Sequence, residues 1–288
     1  MRATSSTWCW HEPVARPRVS RVAAIQMTSS TGWERNLATA TRLLRQAREQ
    51  GAALALLPEN FSIMARRDAD RRAIAEPDGD GPIQRWLAAT ARELRLWIVG
   101  GTTPLLLAGE SRLATSSLVY DDTGRRVARY DKIHLFDVEL PDRDESYRES
   151  KHFAPGRTPV VIDTPAGRLG LSVCYDMRFP ELYRLMSAAG ADWFTVPSAF
   201  TVPTGQAHWH VLLRARAIEN LCHVVAAGQW GGHENGRATY GHSLIINHWG
   251  EVLAELPEGE GVIAAELDLV AQNATRRKFP ALAHRVLK

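Results

Sequence analysis

The sequence predicts an α/β protein, and two observations carry that reading. Short apolar runs of strand length, such as RVAAIQM, ALALL and CHVVAAGQ, alternate with longer segments whose apolar residues recur at helical period. The order strand, helix, strand, helix, strand, hairpin then occurs twice along the 288 residues, once in each half. Such a doubled pattern points to a sheet-on-sheet core with helices outside both sheets. Periodicity alone goes no further than α/β.

Residues 1 to 18 lack periodicity and carry Pro13 and Pro17, so a disordered tail is expected there, with no apolar stretch for a signal peptide and no role for Cys9. One domain is expected over 19 to 288. Its first strand is RVAAIQM, residues 21 to 27. The next helix turns Leu37, Ala40, Leu43, Leu44 and Ala47 inward and stops at Gly51. The strand ALALL ends abruptly in Pro58-Glu59. Residues 61 to 81 are polar and turn-rich, which predicts a surface loop with a short helix and a solvated face of arginines. A helix over Pro82 to Leu94 should bury Ile83, Trp86, Leu87 and Ala91. LWIVGGTTP follows as a buried strand ending in Gly100-Gly101, and residues 117 to 132 read as a hairpin turning at Asp122-Thr123-Gly124. Residues 138 to 157 are an irregular charged loop, long enough to border a site.

The second half opens with a strand from Leu169 that ends at Cys174. Pro180 suits a first helical position, Leu182, Leu185 and Met186 follow at helical spacing, and Gly190 is the stop. ADWFTVPSAF is the next strand. AHWHVLLRARAIEN is a helix with Val211, Leu212, Ala215 and Ile218 spaced for burial, and CHVVAAGQ is again a strand. Residues 240 to 256 form a hairpin, and VIAAELDL is the last strand.

Composition bounds the function. Hydrophobic residues make up 45% of the chain and charged ones 23%, the balance of a globular protein with a substantial core. A net charge of +3, with arginines scattered rather than interleaved with aromatics, gives no footprint for nucleic acid. No apolar run approaches a membrane span. Three cysteines without paired spacing fit a reducing cytoplasm better than a disulfide framework.

Three chemically capable residues, Glu59, Lys132 and Cys174, each stand where a strand runs out, the place where sites gather in α/β folds. Cys174 lies between a strand end and a helix start, where N–H groups and the helix dipole would favour its thiolate. Taken singly, the bland alternatives stand: a buried structural cysteine, and solvated surface charges. Other motifs fail. Gly241-His242-Ser243 begins like a nucleophile elbow, but Ile245 occupies the place of the second glycine. His208 and His210 alternate in a helical segment and should diverge, and no HExxH, CxxC or phosphate loop is present.

The stretches LLPEN, YDKIHLFD, CYDMRFPELYR and RARAIEN, spread over roughly residues 20 to 285, resemble the nitrilase superfamily of carbon–nitrogen hydrolases. KIHLFDVELP, RESKHFAPG, CYDMRFPE and TYGHSLII narrow the resemblance to its Nit branch of deaminated-glutathione amidases and ω-amidases. Asn247-His248-Trp249-Gly250 departs from the branch's usual Asp-Pro-Trp-Gly, a change expected to alter a turn. The resemblance implies a four-layer αββα sandwich and a Glu-Lys-Cys triad: Cys174 as nucleophile, Glu59 as general base and acid, and Lys132 as the cation at the oxyanion, helped by the N–H of Tyr175. It further implies that Glu149, ahead of Pro155-Gly156, positions Lys132 and substrate, whereas Glu139 and Glu145 lack that context. No metal or organic cofactor is implied, and a homodimer or larger assembly is, with the segment after Asp268 in the contact.

Base duty for Glu59 works best if burial raises its pKa toward neutrality. Arg178, four residues past the nucleophile, is expected to hold a substrate carboxylate, unless it pairs with Asp176 or Glu181; Phe200 and Thr201 are expected to line the pocket. The leading reading is a cysteine amidase for a small carboxylate-bearing amide. Nitrile or N-carbamoyl-amine hydrolysis and a catalytically idle interaction protein are the alternatives.

Overall fold

The computed structural model describes residues 19–139 and 146–287. The expectations for the tail, Cys9 and Glu145 lie outside the described residues. The first half runs β1 (Val19–Gln26), α1 (Trp33–Glu49), β2 (Leu54–Leu56), α2 (Asp68–Ala73), α3 (Pro82–Leu94), β3 (Trp97–Val99), β4 (Thr103–Leu106), β5 (Leu113–Tyr120) and β6 (Arg126–Asp131). A small hairpin, β7 (Asp137–Glu139) and β8 (Ser146–Arg148), and a 3₁₀ turn over Glu149–Lys151 follow. The second half holds β9 (Val161–Thr164), β10 (Gly167–Leu171), α4 (Pro180–Ala188), β11 (Trp193–Ser198), α5 (Val202–Asn220), β12 (His223–Gly228), β13 (Trp230–Gly232), β14 (Ala238–Tyr240), β15 (Ser243–Ile246), β16 (Val252–Leu256), β17 (Gly261–Asp268) and α6 (Leu269–Lys278).

Two sheets result. One has the order β17-β1-β2-β3-β5-β4 with β6 on the other side of β5, and the second has the order β16-β15-β12-β11-β10-β9. Strand alternation explains the layering. Val22, Ala24, Leu54 and Leu56 pack in one core with Leu169, Leu171, Val224 and Ile246 of the second sheet. Their neighbours Ala23, Ile25, Ala55 and Leu57 point the other way, against Leu37, Leu43 and Leu44 of α1 and Ile83 and Leu87 of α3. Met186 of α4 and Trp209 and Leu213 of α5 cover the second sheet, beside Trp193 and Phe194. The αββα arrangement is therefore present. The central pairs β1/β2/β3 and β10/β11/β12 are parallel, so their carboxyl ends open on one region. Among the described residues, no helix is long and apolar enough to cross a membrane.

Four local expectations change. Phe61, Ile63 and Met64 are buried, not part of a surface loop, because Phe61 stacks on Trp86 and Met64 N–H donates to the Ser30 carbonyl. Leu185 is exposed on α4. The loop after residue 137 carries the β7–β8 hairpin rather than being wholly irregular. On α5 the buried side carries Trp209, Leu213, Arg216, Ala217 and Asn220, while Val211 and Ile218 face out. Polar residues disguise that inner face: the Arg216 guanidinium lies over the Tyr183 ring and donates from Nε to the Met177 carbonyl at 2.8 Å. The departure at residues 247 to 250 is a turn, as expected. Asn247 Oδ1 accepts the N–H groups of Trp249 and Glu251, and His248 reaches Thr275 of α6 at 2.9 Å.

Candidate active site

Glu59 arrives on the turn after β2. Gly101 makes room for it: its φ is +42°, and an added Cβ would lie 2.0 Å from the Pro58 carbonyl oxygen. The Asn60 N–H donates to Thr102 Oγ1 at 2.8 Å, and Gln229, fully buried just beyond β12, donates from Nε2 to the Glu59 carbonyl at 3.0 Å. Lys132 follows β6, its N–H bonded to the Thr115 carbonyl and its carbonyl to the Gly156 N–H. A Cβ at Gly156 would come within 2.1 Å of the Asp131 carbonyl oxygen, which accounts for the glycine after Pro155.

Cys174 does not end a strand. β10 stops at Leu171, and Cys174 opens a 3₁₀ turn over Cys174–Arg178 with φ +48°, a left-handed conformation that costs a non-glycine residue about 1–3 kcal/mol. Asp176, fully buried, holds the turn. Its Oδ2 accepts the Val173 N–H at 2.9 Å and the Tyr130 hydroxyl at 2.7 Å. Its Oδ1 accepts the His134 N–H at 3.0 Å and lies 2.7 Å from His134 Nδ1. One carboxylate thus ties the cysteine turn to the segment that carries Lys132, and none of it bonds Arg178.

The three chemically capable groups meet. Lys132 Nζ donates to Glu59 Oε1 at 2.9 Å and to both oxygens of Glu149, at 2.9 and 3.1 Å. Glu59 Oε2 accepts the Ala199 N–H at 2.8 Å, and Glu149 Oε2 accepts the Phe136 N–H at 2.7 Å. Glu59, Lys132 and Cys174 are 5%, 2% and 7% exposed, so their charges interact with little screening. Burial alone would raise the Glu59 carboxyl. The Lys132 charge and the hydrogen bonds from Lys132, Cys174 and Ala199 outweigh it and hold Glu59 below the ordinary range. Burial likewise disfavours the Lys132 ammonium, but Glu149 and Glu59 reverse this and keep it protonated. Burial, then the Glu59 charge, push the Cys174 thiol well up, and Lys132 offsets them only in part. Two expectations are thereby corrected: the thiol is not acidified, and the Glu59 carboxyl is not raised. The resting arrangement is carboxylate, ammonium and neutral thiol.

Above this group opens a cleft of about 540 Å³, lined in part by Cys174, Tyr175, Glu149, Phe200 and Thr201. Arg178 is not in its lining. Its guanidinium lies over the rings of Phe200 and Tyr175, 5.2 and 5.7 Å from their centroids, and faces His208 on the exposed side. The arginines that do reach the cleft include Arg71 of α2 and Arg237, before β14. Nothing in the sequence marked Arg71, in a helix too short for a clear period. Asn235-Gly236 signals the turn before Arg237, but not where the side chain points. Asp176 and Gln229 were equally silent, because their partners are distant in sequence.

Away from the cleft, His210 Nε2 and His242 Nδ1 each contact Glu255 Oε1, at 2.9 and 2.7 Å, and the three ligand atoms lie within 4.8 Å of one another. This is the one group among the described residues spaced to share a metal ion, and it was not legible from His208 and His210. Its carboxylate is already satisfied by the two rings.

Residues 21–277 match the model of the carbon–nitrogen hydrolase family. The deaminated glutathione amidase of Homo sapiens is 43% identical over 268 residues, covering 92% of this chain and 81% of that protein. That of Yersinia enterocolitica is 40% identical over 266 residues, covering 92% of each. Among solved structures, Saccharomyces cerevisiae Nit3, of branch 10 of the nitrilase superfamily, superposes with a TM-score of 0.85 at 29% identity, covering 96% of this chain and all of that one.

Proposed function

The chain belongs to the carbon–nitrogen hydrolase family, and from that premise we propose that it is a cysteine amidase for a small acidic amide of the deaminated-glutathione kind. The observation that carries this reading is the closed group of Glu59, Lys132 and Cys174 at the floor of a cleft with a basic rim. Cys174 Sγ attacks the amide carbon as Glu59 takes the thiol proton, so no free thiolate has to accumulate. Negative charge then develops on the carbonyl oxygen, where the Lys132 ammonium and the Tyr175 N–H receive it; one such stabiliser is worth about 3–4 kcal/mol of barrier. Glu59 returns the proton to the nitrogen, the C–N bond breaks, and a thioester remains on Cys174. Water, deprotonated by Glu59, releases the acid and restores the thiol. Glu149 grips Lys132 with both oxygens and fixes its direction. No step calls for a metal or an organic cofactor.

The same reading includes self-association and a reducing, cytoplasmic setting, supported by exposed apolar side chains on α5 and by two free buried cysteines, Cys174 and Cys222. The deciding measurement is ammonia release from deaminated glutathione and from a panel of dicarboxylic monoamides, with nitriles and N-carbamoyl amines alongside. Hydrolysis of the monoamides that disappears in Cys174→Ala is the expected result. Turnover confined to nitriles, carbon dioxide released from carbamoyl amines, or no turnover at all would replace it with one of the alternatives.

A further inference from the structure

We propose that Arg237, with Arg71 beside it in the same cleft, forms the subsite that grips the carboxylate of the substrate, far from the amide that meets Cys174. This rests on the amidase reading and specifies its substrate end. The cleft is rich in basic residues: Arg66, Arg67, Arg71, Arg148, Lys151 and Arg237 line it, and of its carboxylates Glu59 and Glu149 are held by Lys132, which leaves Asp68. Most of these arginines are already engaged. Arg67 pairs with Asp70, Arg148 with Glu139 and Arg71 with Asp68, while Arg66 donates to the Glu234 carbonyl. Arg237 is different. Among the described residues it forms no ion pair, and its Nε is buried without a hydrogen-bond partner. Leaving a charged donor so placed is costly unless an anion completes it.

The position of Arg237 is built rather than incidental. Its N–H donates to Asn235 Oδ1 at 3.0 Å, its carbonyl accepts the His233 N–H, and Asn235 Nδ2 is clasped to the Ala65 carbonyl. The buried His233 ring fixes the same hairpin between the Ser29 carbonyl and Thr239 Oγ1. The guanidinium lies over the Tyr147 ring, 5.1 Å from its centroid, as that of Arg71 lies over Phe153 at 5.5 Å. Burial lowers Arg71 below the ordinary arginine range; Asp68, and more weakly Glu149 and Glu59, counter this, and the Arg237 charge adds to the lowering. Two guanidinium groups thus sit within electrostatic reach of each other, and of the two only Arg71 has a carboxylate partner among the described residues. A substrate carboxylate would relieve that repulsion and supply the acceptor that Arg237 Nε lacks, in the forked geometry suited to arginine. A cleft of about 540 Å³ has room for such a far end, well beyond the needs of a lone amide.

Glutaramate and glutaramide form a near-isosteric pair that differ by one carboxylate against one carboxamide. Their kcat/KM ratio in the wild type and in Arg237→Gln isolates the contact. Arg237→Gln is expected to lower the ratio by roughly thirty-fold or more. Arg71→Gln should lower it less, since Asp68 already neutralises part of that charge, and Arg237→Lys should restore only part. Equal losses for both amides, in Arg237→Gln and Arg71→Gln alike, would overturn the subsite and leave the amidase reading standing. Calorimetric binding of glutaramate to Cys174→Ala tests the subsite without turnover. Binding abolished by adding Arg237→Gln, in a protein that hydrolyses neither amide, would keep the subsite and remove the amidase reading. If Arg237→Gln does not fold, the same comparison is read from Arg71→Gln and Arg237→Lys, and an unchanged ratio in both sinks the proposal.

Discussion

Glu59 and Lys132 act on the Cys174 thiol in opposite directions, Glu59 raising it and Lys132 lowering it, and burial adds to the first. In the proposed mechanism the carboxylate is therefore both the proton acceptor and, after burial, a reason the proton stays on sulfur until substrate arrives. Glu59→Gln separates the two effects. Turnover should fall by about 10²–10⁴, the range of a lost general base. The thiol should nevertheless ionise at lower pH than in the wild type, because the repelling charge is gone and Lys132 remains. Thiolate absorbance near neutral and alkaline pH, referenced to Cys174→Ala, reads this directly; an unchanged or higher titration would mean that burial alone sets the thiol. Cys222 contributes little to that signal, its thiol being pushed up to about 12 by burial.

At the scale of elements, β12 carries a second buried titratable group. Burial lowers the His223 imidazole from 6.5 to about 4, with the nearby His248 acting in the same direction. The unfolded chain then binds a proton that the folded chain refuses. Stability is complete above about pH 6.5 and is lost as the pH falls toward and through 4, by on the order of 3 kcal/mol if this group acts alone. His223→Gln should flatten this part of the melting-temperature profile, whatever uniform loss it brings, and parallel profiles for the two proteins would assign the acid sensitivity elsewhere. Legibility also differs by element. The helix Pro82–Leu94 was readable end to end, since a proline opens it and its apolar period is clean. So were the β5–β6 hairpin and the strands that deliver Glu59 and Lys132. The buried face of α5 was not, because its inner stripe includes Arg216 and Asn220 while Val211 and Ile218 face out. The 3₁₀ turn at Cys174 was hidden for a related reason: Asp176 imposes it through Tyr130 and His134, more than forty residues away.

For the molecule as a whole, four of the exposed apolar side chains, Val211, Ile218, Trp249 and Phe279, gather in one region. Ile218 packs against the turn holding Trp249, the Trp249 ring meets Phe279 at 5.8 Å, and Val211 lies two turns along the same face of α5. We propose this surface as the contact between copies of the chain. Val211→Lys should shift the mass measured by light scattering toward the monomer, with the fold intact by circular dichroism; an unchanged mass would place the contact elsewhere. The two halves are also stitched through their interior. Gln229 bonds Ser29 in both directions as well as Glu59, and Gln26 accepts the Ser243 N–H across the sheets. The pairing of β1 with β17 sets a timetable. Residues 19–26 find their outer neighbour only in residues 261–268, so a chain growing on the ribosome holds an open, apolar strand edge until nearly all of it has emerged. The first sheet to be made is among the last to be closed, and chaperone demand during synthesis should concentrate on that interval.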